Sequence, residues 1–163
     1  MRLPAFLCQA MWDRLKVHAM QEPDFIVGPK ADPYLRRWHI TPRGDGPSCY
    51  LHQFLRSDDD RALHDHPYAS VSIILQRGYL EHLPGLDAPI RRVAGDVVSR
   101  DAETPHRVEL EANPLGGAPL PCWTLFLTGP RVRDWGFHCP RGWVPWRDFV
   151  DARDAGAIGR GCD

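Results

Sequence analysis

Fourteen glycines and sixteen prolines punctuate a chain of 163 residues, so its regular structure has to come in short pieces. That excludes a bundle of long helices and favours brief strands joined by turns. From Tyr34 onward apolar and polar residues alternate with a period of two. Tyr34–Thr41 sets Tyr34, Arg36, Trp38 and Ile40 on one side, and Cys49–Arg56 follows across the turn-rich Pro42–Pro47. Further strands are expected at Ala69–Leu75, Tyr79–Leu83, Ile90–Val93, Asp96–Arg100, His106–Leu110, Trp123–Thr128 and Asp134–His138. About nine short strands with turn signals between them imply an all-β sandwich or barrel. Two flanks differ. Residues 4–20 set Phe6, Leu7, Ala10, Met11 and Leu15 at helical spacing. Trp146–Ala155 reads as a short helix before a polar tail. The chain therefore divides into a helix and linker at 1–33, a barrel at 34–145 and a helix and tail at 146–163.

Hydrophobic residues make up 43% and charged residues 25%, a balance that excludes wholesale disorder. A net charge of −1 provides no field for nucleic acid or an anionic membrane, and neither is expected as a partner. No run reaches the roughly 18 apolar residues of a membrane span. The apolar stretch Leu3–Trp12 lacks a cleavage site of small residues. The five cysteines are scattered, odd in number and never in a CxxC pair, which argues against a disulfide framework or a cysteine zinc module. A reducing, cytoplasmic location is the expectation.

The chemistry concentrates in histidines. In His64-Asp65-His66 the two imidazoles stand two residues apart, the spacing that lets a strand aim both at one point. A divalent ion needs at least one more ligand, and His106 is the best candidate. In its strand His106, Val108 and Leu110 share the interior face, whereas Arg107 and Glu109 point away. The run Ser57–Asp60 reads as a solvated acidic loop.

Arg61-Ala-Leu-His-Asp-His-Pro67 followed by Ile73–Gly78 resembles the first motif of the cupin superfamily, and Gly95-Asp-Val-Val98 followed by Thr104-Pro-His106 resembles the second. The resemblance implies a double-stranded β-helix, the jelly-roll cupin barrel, with a metal held by His64, His66 and His106. Many cupins carry a glutamate ligand about five residues after the second histidine; this chain has Ser70, Val71 and Ser72 in that register. The implied site is thus three neutral imidazoles, similar to thiol dioxygenases of the cysteine dioxygenase type, and Fe(II) is the first metal to consider. Zn(II), Ni(II) or Mn(II) acting as a Lewis acid in an isomerase or hydrolase is the alternative. A non-catalytic ligand-binding barrel is the third.

Other residues are candidates for the pocket. Glu103 is either a base over the mouth or an exposed loop acid. Tyr68 and Tyr79 flank the metal strand, and either phenol is a candidate to orient an oxygen. His52 alternates with Tyr50 and Phe54 and faces either a substrate or the core. At strand spacing Arg131, Arg133, Trp135, Phe137 and Cys139 share a side, where the arginines would clamp an anion against an aromatic wall. The opposite reading makes this segment an outer strand. Cys139 is a soft ligand, a redox-active thiol or a buried structural cysteine. The expected enzyme is a dioxygenase-type oxidoreductase for a small polar or anionic substrate, working as a homodimer.

Overall fold

The computed structural model describes residues 1–42, 46–58 and 62–163, with the backbone alone at 155–156. A helix, α1 (Ala5–Leu15), and a short 3-10 turn at His18–Met20 precede the strands. The first half of the sheet structure comprises β1 (Phe25–Val27), β2 (Leu35–His39), β3 (Ser48–Phe54), β4 (Leu63–His64), β5 (Ser70–Gln76), β6 (Gly78–His82) and β7 (Ile90–Val93). There follow β8 (Val97–Arg100), β9 (Arg107–Leu110), β10 (Cys122–Thr128), β11 (Gly136–Cys139) and β12 (Gly142–Pro145). A single helical turn, α2 (Trp146–Phe149), leads into the hairpin β13 (Val150–Asp151) and β14 (Asp154–Ile158). The segment read from sequence as a helix to Ala155 is therefore one turn and a hairpin. Phe149 is its anchor, buried and stacked on Phe137 at 3.6 Å.

One antiparallel sheet runs in the order β1-β2-β3-β10-β5-β8. Facing it, β12-β11-β4 and β9-β6-β7 are joined by reciprocal His64–His106 backbone hydrogen bonds of 2.9 Å, which complete a second layer of six strands. Strand pairs such as β10–β3 and β5–β8 are far apart in sequence, the mark of a double-stranded β-helix. Residues 43–45 and 59–61 of the expected turn, acidic run and first motif lie outside the described residues.

Two apolar clusters follow from the alternation. Ile74, Val98 and Cys122 of one sheet meet Tyr79, Val108 and Leu110 of the other, with Phe54 beside them, and form the floor of the barrel. Trp38, Leu51 and Leu75 form a second cluster on the outer face of the six-stranded sheet. Met11, Trp12 and Leu15 of α1 cover it. Trp12 and Trp38 both pack on Trp123, at 5.1 and 5.5 Å. Each large side chain buried in this way contributes roughly 1.5–3 kcal/mol, so the helix holds to the barrel through its apolar stripe. Within α1 only Cys8 is fully buried, and its Sγ lies 3.4 Å from the carbonyls of Ile74 and Leu75.

Two glycines shape the turns. Gly78 lets β6 approach β7 so closely that a Cβ would lie 2.1 Å from the Arg92 carbonyl oxygen. Gly95 has φ +93°, the left-handed turn that brings Asp96 onto Arg2 (2.7 Å) and ties the N-terminus to the floor end of the barrel.

Candidate metal centre

The three histidines converge. One ligand atom from each of His64, His66 and His106 lies within 4.8 Å of the others, and His66 Nε2 stands 2.9 Å from His106 Nε2. Two imidazole nitrogens bound about 2.0–2.1 Å from one ion, at a right angle, are about 2.9 Å apart, so the pair fits a shared metal. The same spacing also suits a hydrogen bond between two neutral rings. β4 ends at His64 and His66 lies in the loop beyond it, fixed by its N–H donating to the Ala102 carbonyl at 3.0 Å. Ala102 belongs to the turn Arg100–Glu103 before His106, which thus anchors the loop of His66.

Behind two of the rings stand carboxylates. Asp58 Oδ2 lies 3.5 Å from His64 Nδ1, and Glu81 Oε1 lies 3.4 Å from His106 Nδ1. Both distances are too long or too poorly aligned for formed hydrogen bonds, and the buried His106 Nδ1 has no hydrogen-bond partner among the described residues. Carboxylates in this position hold the ring orientation and raise the basicity of the opposite nitrogen. Asp58 is itself fixed: it accepts from the Tyr34 hydroxyl and, at 2.6 Å, from the Val108 N–H. Glu81 is fully buried and accepts from Arg92 Nε at 2.6 Å and from Arg100.

Burial pushes the imidazoles of His64 and His66 down, and that of His106 to about 4 despite Glu81. Each ring is therefore neutral near pH 7, with a lone pair for a ligand role. Burial raises the Glu81 carboxyl, but His106, Arg100 and Arg92 outweigh it and draw it down to about 2. It is ionised at any pH of interest.

Asp65 points the other way from its two histidine neighbours. It accepts from the Gly136 N–H at 2.8 Å, Trp143 Nε1 at 2.9 Å and His138 Nε2 at 3.1 Å, and pairs with Arg133 Nη1 at 2.7 Å. It is the post that fastens the 133–143 segment to the metal loop, and a carboxylate with four donors is not a free base.

That segment supplies the wall. Trp135 and Phe137 lie 6.3 and 5.9 Å from the His64 ring, and Trp146 stacks on Trp135 at 5.7 Å. Arg133 is engaged by Asp65, and the exposed Arg131 pairs with Asp134 at 2.9 Å. Cys139, read from sequence as a ligand or a thiol, forms a disulfide with Cys162 and so is neither. Its partner lies in the tail, where spacing alone carries no signal.

Among the other candidates, Tyr68 stacks on His66 at 6.1 Å, and burial raises its phenol. Tyr79 lies in the floor. Glu103 is exposed. His52 is buried, faces into the barrel and stacks on Phe126 at 5.1 Å, whose ring is 6.0 Å from His66. Sequence reasoning missed Asp58, whose run looked solvated, and Glu81. For Glu81 a signal existed: it shares the inner face of β6 with Tyr79, a carboxylate where an apolar residue belongs.

No protein-family model matches the chain, and no curated protein matches it by sequence. Among solved structures, DMSP lyase DddQ from Ruegeria pomeroyi DSS-3 is similar over 79% of this chain and 76% of its own, with 16% identity and a TM-score of 0.52. KdgF from Halomonas sp. covers 67% of this chain and 96% of its own, with 17% identity and a TM-score of 0.46. A protein with a double-stranded β-helix domain from Klebsiella pneumoniae subsp. pneumoniae MGH 78578 covers 69% and 90%, with 15% identity and a TM-score of 0.46. Identities this low speak to fold alone. Two facing six-stranded layers, a strand order of distant pairs and the likeness to DddQ agree: the chain has the cupin fold, a double-stranded β-helix with three histidines converging inside it.

Proposed function

We propose that this chain is a metal-dependent enzyme for a small polar or anionic molecule, with one divalent transition-metal ion on His64, His66 and His106. The supporting observation is the convergence of three neutral imidazoles, two of them backed by the buried carboxylates Asp58 and Glu81. The first reading is a dioxygenase-type oxidation with Fe(II), because no carboxylate sits in the glutamate register and the ion would keep its full charge and open positions. When bound, such an ion supplies one-electron chemistry toward O₂, or Lewis acidity if it is Zn(II), Ni(II) or Mn(II).

The chain's own residues orient and enclose. Asp58 and Glu81 stand behind the His64 and His106 rings, placed to accept from Nδ1–H. Tyr68 keeps its phenol proton, since burial raises its pKa, and stands beside His66 as a donor toward a substrate oxygen. Phe126, Trp135 and Phe137 are the apolar surfaces next to the histidines and keep bulk water from them. A second reading, Lewis-acid elimination, draws support from the fold likeness to DddQ, a lyase. In it Tyr68, which keeps its proton and is in ring contact with His66, is favoured over the exposed Glu103 as the acid.

Metal content by mass spectrometry tests the proposal, on protein made without added metal or a histidine tag. About one ion per chain in the wild type, lost in His64→Ala/His106→Ala, is expected. A folded wild type that binds no metal, even after anaerobic reconstitution with Fe(II), overturns it. Iron, with O₂ uptake on a panel of thiols and small acids, supports the oxidative reading. Zinc or nickel, with turnover that consumes no O₂, supports the second.

A further inference from the structure

We propose that Arg37 is a binding residue for an oxyanion, the carboxylate or phosphate end of a small substrate, on the inner wall of the barrel. The inference deepens the proposed function, and rests on it only for where the rest of the molecule would reach.

A guanidinium carries five N–H donors. Among the described residues Arg37 has one of them in use: Nε donates to His52 Nε2 at 2.9 Å. Its Cζ lies 4.7 Å from the Tyr50 ring and 5.8 Å from the Phe25 ring, so the plane is sandwiched and its direction is set. Among the described residues it makes no ion pair. The other arginines near the site are matched: Arg92 and Arg100 on Glu81, Arg133 on Asp65. Nor are the remaining donors sealed away. Arg37 is half-buried, and neither of its Nη atoms is a fully buried nitrogen without a partner. A fork of donors that is oriented, uncompensated and reachable suits an oxyanion, which accepts two parallel hydrogen bonds from it.

His52 makes the arrangement rigid. It lies flat between Tyr50 and Phe126, with interplanar angles of 10° and 25°, and burial keeps it neutral so that Nε2 accepts rather than donates. The same Phe126 ring stands 6.0 Å from His66 and 6.2 Å from Tyr68. The anion site and the three-histidine centre therefore share one wall, with His52 and Phe126 between them. The substrate class that follows is a small organic anion, charged at one end and carrying at the other a group for the metal.

Calorimetric titration of propionate, propionamide and inorganic phosphate into the wild type and Arg37→Gln tests this, with metal content measured on the same samples. The expected result is binding of propionate or phosphate by the wild type, weaker by about tenfold or more in Arg37→Gln, with propionamide weaker by a similar factor. Which of the two anions binds identifies the group. Binding of neither anion, a smaller loss in Arg37→Gln, or equal binding of propionamide overturns the proposal. Should Arg37→Gln not fold, Arg37→Lys, which keeps the charge but loses the Nε bond to His52, is read by the same thresholds. A wild type without metal that still binds the anion through Arg37 keeps this inference and sinks the proposed function; the reverse sinks only this one.

Discussion

The floor and the mouth of the barrel are built by the same strands and obey opposite rules. Along β9 the inward residues run from His106 to Val108 and Leu110; along β5 they run from Ser70 and Ser72 to Ile74. At the floor the match is chiefly one of shape: Ile74, Val98, Val108 and Leu110 pack by apolar contact, and the Tyr79 hydroxyl accepts from Arg100 at the edge. At the mouth the side chains are matched by charge: Glu81 between two arginines, Asp65 among four donors, Asp58 behind His64. A dry core tolerates rearrangement among hydrophobes, whereas a buried charge network fails when one member is removed. The floor is the forgiving half of the barrel, and the mouth, where buried charges must meet, is the demanding one.

The largest expected effect breaks the mouth. Glu81→Leu leaves the guanidinium of Arg100, which is buried, and that of Arg92 without their counter-charge, and should cost about 3–5 kcal/mol in urea unfolding. A cost below about 1 kcal/mol would mean that the mouth is no more demanding than an exposed surface. Ile74→Ala is the floor counterpart. It should cost about 2–5 kcal/mol while the folded fraction keeps its full metal content. Metal loss in step with stability would erase the distinction. Asp58→Asn tests whether the carboxylate behind His64 tunes the site. Competition with a chelator should report an affinity lower by about 10- to 100-fold, with the circular dichroism spectrum unchanged.

The smallest effect is a pH dependence at the floor end. Arg2 holds the Asp96 carboxyl below its ordinary range through its hydrogen bond and charge. A carboxyl depressed on folding adds stability above its unfolded pKa of about 3.9 and loses it as pH falls through the folded value. Acid unfolding followed from pH 5 downward should therefore show part of its slope removed in Arg2→Ala. An identical slope in the two proteins would discount that tie.

Much of the molecule was legible before any coordinates. The strands from β5 to β10 fall within a residue or two of their sequence-based bounds, because alternation and turn residues are local signals. The inward aim of His106, Val108 and Leu110 was equally plain. Short strands without alternation were not: β1, β12 and the β13–β14 hairpin are held by their partners rather than by their own pattern. The same limit applied to Asp58, whose neighbours in sequence are acidic and whose neighbours in space are Tyr34, His64 and Val108.

By itself the sequence determined the class of fold, the position of the histidines and the absence of a carboxylate in the usual ligand register. These depend on residue type and on spacings of two, which a strand converts directly into direction. Only the tertiary structure decided which charges meet. Asp65 is bound to residues 133–143, Glu81 to Arg92 and Arg100, Arg37 to His52, and Cys139 to Cys162. Such pairings join different strands and loops, and a one-dimensional pattern carries no record of which segments the sheets bring face to face.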